Sequence, residues 1–113
     1  MINNHESALR AAVEEYLDIR ERQGDLIWTR TDAASKDVRA RGRHVRAGWP
    51  DLTIVLRGGR ALLVELKRPV GGKTRQKQRE LLAAATAIGV AAVVCRSVAE
   101  VQAVVEGVIK CEQ

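Results

Sequence analysis

Two short stretches carry the residues whose types and spacing could do chemistry. Pro50-Asp51 opens one apolar run, and Glu65-Leu66-Lys67 closes the next. Side chains alternate along a strand, so Glu65 and Lys67 share a face with Leu63, while Leu62, Val64 and Leu66 make the other face wholly apolar. A carboxylate at the end of a buried strand is costly unless something uses it. Phosphodiester hydrolysis would use it. Two carboxylates hold a hard divalent cation such as Mg2+, which polarises the scissile phosphate and acidifies a bound water; an ammonium group steadies the water or the developing charge. Glu-x-Lys alone is equally the pattern of a surface ion pair. The weight comes from the whole set: Pro-Asp, a short hairpin, Glu-x-Lys, then a basic turn and helix.

The elements that must position these groups are legible in the periodicity. Leu9, Val13, Tyr16 and Leu17 recur at helical spacing over residues 5–22, with Asn3 as N-cap and Gly24 as the stop. Leu26 to Thr31 reads as a short strand, and Asp32 to Trp49 as a polar, basic loop. Leu52 to Leu56 and Ala61 to Leu66 form a hairpin broken at Gly58-Gly59. Pro69 to Gly72 is a turn, and residues 75–88 form a helix with Leu81, Leu82, Ala85 and Ile88 on one face. A short buried strand, Val90 to Cys95, and a helix with the stripe Val98, Val101, Val104, Val105 and Val108 follow. The order is αβββαβα. Were Gly58-Gly59 a two-residue turn, Asp51 would point away from Glu65; bringing the two carboxylates to one side requires an odd-numbered loop or a bulge.

Charge is distributed unevenly along this order. The chain has 113 residues, with 19 Lys plus Arg against 14 Asp plus Glu, a net charge of +5. Residues 36–48 hold Lys36, Arg39, Arg41, Arg43 and Arg46 against Asp37 alone, and residues 67–79 hold Lys67, Arg68, Lys73, Arg75, Lys77 and Arg79 with no acid. Two basic segments bracket the central hairpin, which points to a polyanionic partner. The 32–49 loop reads as an arm that grips phosphates. Aromatic residues are only 3%, which argues against base-stacking platforms. The length fits one domain spanning residues 1–113. Two cysteines in no metal-binding spacing read as reduced thiols. With no apolar leader core and no run long enough to span a bilayer, a soluble cytoplasmic protein without membrane contact is expected.

Gly48-Trp49-Pro50-Asp51-Leu52, then Val64-Glu65-Leu66-Lys67-Arg68, then a Gly-rich basic turn and a Gln-bearing helix, resemble the VRR-NUC pattern within the PD-(D/E)xK superfamily. The resemblance covers about residues 5–98. It implies a restriction-endonuclease-like α/β fold, an αβββαβ core with a C-terminal helix added. It also implies dependence on Mg2+ or Mn2+, endonucleolytic cleavage of DNA, often branched or at junctions, in replication, repair or recombination, and a homodimer. By resemblance Asp51 and Glu65 are metal ligands, the Leu66 carbonyl another, and Lys67 the catalytic lysine. The family's first-helix glutamate matches Glu6, whose spacing to Leu9, Val13 and Leu17 turns it inward as a further ligand; the alternative is a capping box with Asn3. The family's second-helix glutamine matches Gln78 rather than Gln76, because Gln78 shares its face with Leu81, Leu82 and Ala85. Arg75 stands where the commoner pattern has serine, which leaves Thr74 as the expected helix cap. Lys36, Arg39, Arg41, Arg43, Arg46, Arg68, Lys73 and Arg75 are the expected DNA-binding residues. The competing reading is a DNA-binding or assembly module that keeps the fold without catalysis; it would not need Glu6, Asp51, Glu65 and Lys67 together.

Overall fold

The computed structural model describes residues 4–32 and 45–111. The leading helix α1, Asn4–Arg22, runs until Gly24, whose φ of +80° is a conformation that ends helices readily only in glycine. Glu6 in its first turn and Arg20 and Arg22 in its last complement the helix dipole. Strands β1 (Leu26–Arg30), β2 (Leu52–Leu56) and β3 (Ala61–Leu66) follow, then helix α2 (Gln76–Ala87), strand β4 (Ala91–Cys95) and helix α3 (Val98–Lys110). This is the expected αβββαβ order with a C-terminal helix, and the ends of α1, β1, α2 and β4 fall within one residue of those expected.

The four strands lie in the order β1-β2-β3-β4. The first three pair antiparallel, while β3 and β4 are parallel, so α2 is the crossover that connects them. Alternation assigns the two faces. Leu52, Ile54 and Leu56 of β2 join Leu62, Val64 and Leu66 of β3 in one core with Val13 and Leu17 of α1 and Val101 and Val105 of α3. The valine stripe of α3 is therefore core; Val101 and Val105 are fully buried. Ser97 caps that helix by accepting a hydrogen bond from the Glu100 amide at 3.1 Å. The opposite face carries Leu63 and Glu65, buried with Leu81 and Ala85 of α2 outside that cluster. Beyond the reach of α2, the same face of β1 and β2 leaves Ile27 and Val55 exposed.

The β2–β3 hairpin determines the site. Leu56 donates its amide to the Arg60 carbonyl at 2.8 Å, so Arg57, Gly58 and Gly59 form a three-residue loop. Gly58 and Gly59 have φ of +95° and +91°, a region costly for residues with a Cβ. This odd loop sets Leu52 opposite Val64. Continuing that register one step brings Asp51 opposite Glu65, on the same side of the sheet, as expected from the parity argument.

Candidate active site

Asp51 lies just ahead of β2 and is held from three directions. Its carbonyl accepts the Thr31 amide at 2.8 Å, and the Thr31 hydroxyl donates to the preceding Pro50 carbonyl at 2.9 Å. Thr31 and Thr53 hydroxyls lie 3.0 Å apart, and the Trp49 indole N–H donates to Thr53 at 2.9 Å. Trp49 is thus tied down by packing and a hydrogen bond. On the carboxylate itself, Oδ2 accepts the Leu66 amide across the hairpin at 2.8 Å. Leu66, whose carbonyl the family resemblance implies as a ligand, contacts Asp51 through its N–H.

Glu65 is 4% exposed, at the C-terminal end of β3 on its buried face. Its Oε2 accepts the side-chain amide of Gln78 at 2.8 Å and pairs with Lys67 Nζ at 3.2 Å. Its Oε1 is buried without a hydrogen-bond partner among the described residues. Gln78 connects three groups. Besides donating to Glu65, its Oε1 accepts Lys67 Nζ at 3.2 Å and the Arg75 backbone amide at 3.0 Å. Two donors on one side and a carboxylate on the other leave one sensible orientation of the amide. Helical phase is what places it there: Gln78 is half-buried on the face of Leu81 and Ala85, whereas Gln76 is exposed and pairs with Glu80.

The cap of α2 corrects an expectation. Arg75, not Thr74, is the N-cap, because Gln78 at the third helical position reaches back to the Arg75 amide. Gly48 makes the connection between the Asp51 loop and this helix. Its φ is +86°, and a Cβ there would lie 2.4 Å from the Lys77 carbonyl oxygen.

The electrostatics follow from the crowding of two carboxylates. Burial pushes the Glu65 carboxyl above the usual range, and the neighbouring Asp51 charge adds to that; Lys67 partly opposes both. Burial likewise raises Asp51, opposed by the Leu66 N–H and by Arg10. A Coulomb attraction of about 4 kcal/mol for a close pair near the surface stands against a desolvation cost of several kcal/mol for each buried ion. Lys67 alone does not offset both carboxylates, and Arg10 is the second cation set against them.

Sequence reasoning missed three residues around this centre. Arg10 Nη2 lies 3.6 Å from Asp51 Oδ1 and 3.5 Å from Asp32 Oδ2, so α1 delivers a cation to the candidate carboxylate. Asp32 Oδ1 is buried and lacks a hydrogen-bond partner among the described residues. The available signal was that Arg10 stands one turn from Glu6 on the helix face nearest the site. Arg96, following β4, donates to the carbonyls of Arg68 at 2.6 Å and Gly72 at 2.8 Å and so braces the turn after Lys67. Nothing in its local sequence marks that role.

Glu6 departs from its expected inward placement. Val13 and Leu17 on its stripe are buried, but Glu6 is exposed, because α1 extends past the end of the core at its first turn. It lines an open cleft with Arg10, Glu14 and Arg30. Among the described residues no group of three or more His, Cys, Asp or Glu is gathered closely enough to hold a metal. The pair that fits a cation is Asp51 and Glu65: both donors are hard oxygens, and the buried Glu65 Oε1 is an acceptor awaiting a partner. Arg46, Arg68, Lys73 and Arg75 are exposed. Lys36, Arg39, Arg41 and Arg43, with most of the 32–49 arm, and Asn3 lie outside the described residues.

A mixed sheet with two carboxylates and a lysine converging at the start of one hairpin strand and the end of the next defines the nuclease-type fold expected above. The VRR-NUC domain model matches residues 3–99, and the chain belongs to that family. It is similar to two solved structures, a VRR-NUC domain and a VRR-NUC domain protein, each at 20% identity. The first superimposes with a TM-score of 0.63 over 90% of this chain and 95% of that one; the second with 0.66 over 97% and 92%. No curated protein matches. The family is of nuclease type and generally uses divalent metals. No helix among the described residues is long and apolar enough to cross a membrane.

Proposed function

We propose that this chain is a divalent-metal-dependent deoxyribonuclease that hydrolyses phosphodiester bonds within DNA. Asp51 and Glu65 would hold Mg2+ or Mn2+, and the family resemblance adds the Leu66 carbonyl and Glu6 to the ligand set. When bound, the cation supplies Lewis acidity at the scissile phosphate and acidifies the attacking water. Lys67 sits beside Glu65 to orient that water or offset developing negative charge. Gln78 keeps the lysine and the carboxylate in one geometry, accepting from the first and donating to the second. The observation that carries the reading is the buried Glu65 oxygen without a hydrogen-bond partner, beside Asp51 and opposite a lysine held in place.

Exposed Arg46, Arg68, Lys73 and Arg75 serve as phosphate contacts; Lys36, Arg39, Arg41 and Arg43 join them on the charge pattern of the sequence. Branched DNA as preferred substrate and a homodimeric state belong to the same proposal, on family resemblance. The test incubates the chain with labelled linear, flap and four-way DNA in Mg2+, Mn2+ or EDTA, beside Lys67→Ala. Metal-dependent cutting abolished in the variant is expected. Cutting in EDTA, or undiminished cutting by Lys67→Ala, would refute the mechanism, and DNA binding without cutting would establish the inactive binding module instead.

A further inference from the structure

The Arg10 guanidinium occupies a position that the proposed chemistry does not use. It lies between two carboxylates, 3.6 Å from Asp51 and 3.5 Å from Asp32, and all three side chains are largely shielded from solvent. Asp51 is thereby partnered by a protein cation at the very group proposed to take a metal. Two cations cannot share one carboxylate without repulsion, so the arrangement is competitive by construction.

Asp32 makes the competition reversible. Only its Oδ2 faces Arg10, while its Oδ1 is buried without a hydrogen-bond partner among the described residues. Guanidinium is a rigid fork of parallel donors that fits both oxygens of a carboxylate at once. An arginine released from Asp51 therefore finds a second acceptor on Asp32 within a small swing of its side chain. We infer that Arg10 is a cation placeholder at Asp51 and that Asp32 is the seat to which it withdraws when a divalent ion binds. Asp32 is thus a positioning residue acting through Arg10, not a ligand. In the metal-free chain the placeholder offsets part of the charge deficit at the carboxylate pair; in the loaded chain it would pair with Asp32 alone.

The inference rests on the proposed metal-dependent reading, and the test separates the two. Mn2+ binding to the full chain is measured by calorimetry, without DNA and without reference to activity. A neighbouring opposite charge shifts a carboxylate's proton affinity by one unit or more, so removing it should tighten binding of a competing cation by on the order of tenfold. Arg10→Met is expected to lower the Mn2+ Kd by that factor, and Arg10→Lys, which keeps the charge, to stay near wild type. Asp32→Asn removes the seat and should weaken Mn2+ binding several-fold in the wild-type background but have no effect when combined with Arg10→Met. Unchanged or weaker binding in Arg10→Met overturns the placeholder. Loss on Asp32→Asn in both backgrounds makes Asp32 a ligand and overturns the seat. If Arg10→Met does not fold, Arg10→Gln, which also removes the charge, replaces it alone and in combination with Asp32→Asn, with the same outcomes. A wild-type chain that binds no Mn2+ removes the metal-dependent reading itself, and the inference with it.

Discussion

Asp51 Oδ2 accepts the backbone amide of Leu66 at 2.8 Å, across a hairpin closed by three residues. That one bond joins the two ends of the motif, because the next residues on either side of Leu66 are Glu65 and Lys67. The position of the Asp51 carboxylate is therefore referred to the backbone of β3 rather than to a flexible side chain. The site's geometry is built into the sheet register, and the side chains around it refine that geometry.

Gln78→Ala should cost activity without costing the fold. The amide contacts Lys67, Glu65 and the Arg75 backbone while remaining half-buried. Residues supporting metal-binding carboxylates typically contribute about 10–100-fold to affinity or activity. The expected result is a kcat reduced within that range, KM nearly unchanged, and an unaltered circular dichroism spectrum. A fall in KM-related binding alone would place Gln78 at the substrate instead.

Glu65→Gln should stabilise the metal-free chain at neutral pH. Burial and the Asp51 charge raise the Glu65 carboxyl, so the folded state holds its proton more tightly than the unfolded state does. The corresponding stability is present at acidic pH and is lost as pH rises from the ordinary carboxylate range through the raised folded value. Glutamine mimics the protonated form at every pH. In EDTA, the urea midpoints of the two proteins should converge at acidic pH and diverge in favour of the variant as pH rises toward neutrality. Adding Mn2+ should then raise the wild type alone. Parallel curves would mean that the buried carboxylate is not the liability described.

Gly48→Ala should be severe for a loop substitution. A Cβ there meets both an unfavourable positive φ and the Lys77 carbonyl at 2.4 Å, which is backbone and cannot swing aside. The left-handed conformation alone costs about 1–2 kcal/mol, and the clash adds to it. A loss of roughly 2 kcal/mol or more in urea unfolding is expected; a change within experimental error would show that the loop does not pack on α2.

The two thiols should separate cleanly. Cys95 is buried in β4, and burial pushes its thiol up to about 11, while Cys111 is exposed at the end of α3. A thiol-reactive dye at neutral pH should modify Cys111 alone in the native chain and both in denaturant. Two fast-reacting thiols in the native state would contradict the packing of β4.

Much of this protein follows from local sequence alone. Apolar periods of 3.6 and 2 are properties of neighbouring residues, and they placed every helix and strand to within about a residue. Gln78 was distinguishable from Gln76 because helical phase is also local. The parity of the hairpin loop was constrained by chemistry: two carboxylates that must meet exclude a two-residue turn. What tertiary structure decided lies between residues distant in the chain. That Arg10 faces Asp51 and Asp32, that Arg96 braces the turn after Lys67, and that Glu6 stays outside the core all depend on how far α1 overhangs the sheet and where β4 ends. Such distances are fixed by packing of whole elements against one another, and no spacing along the chain encodes them.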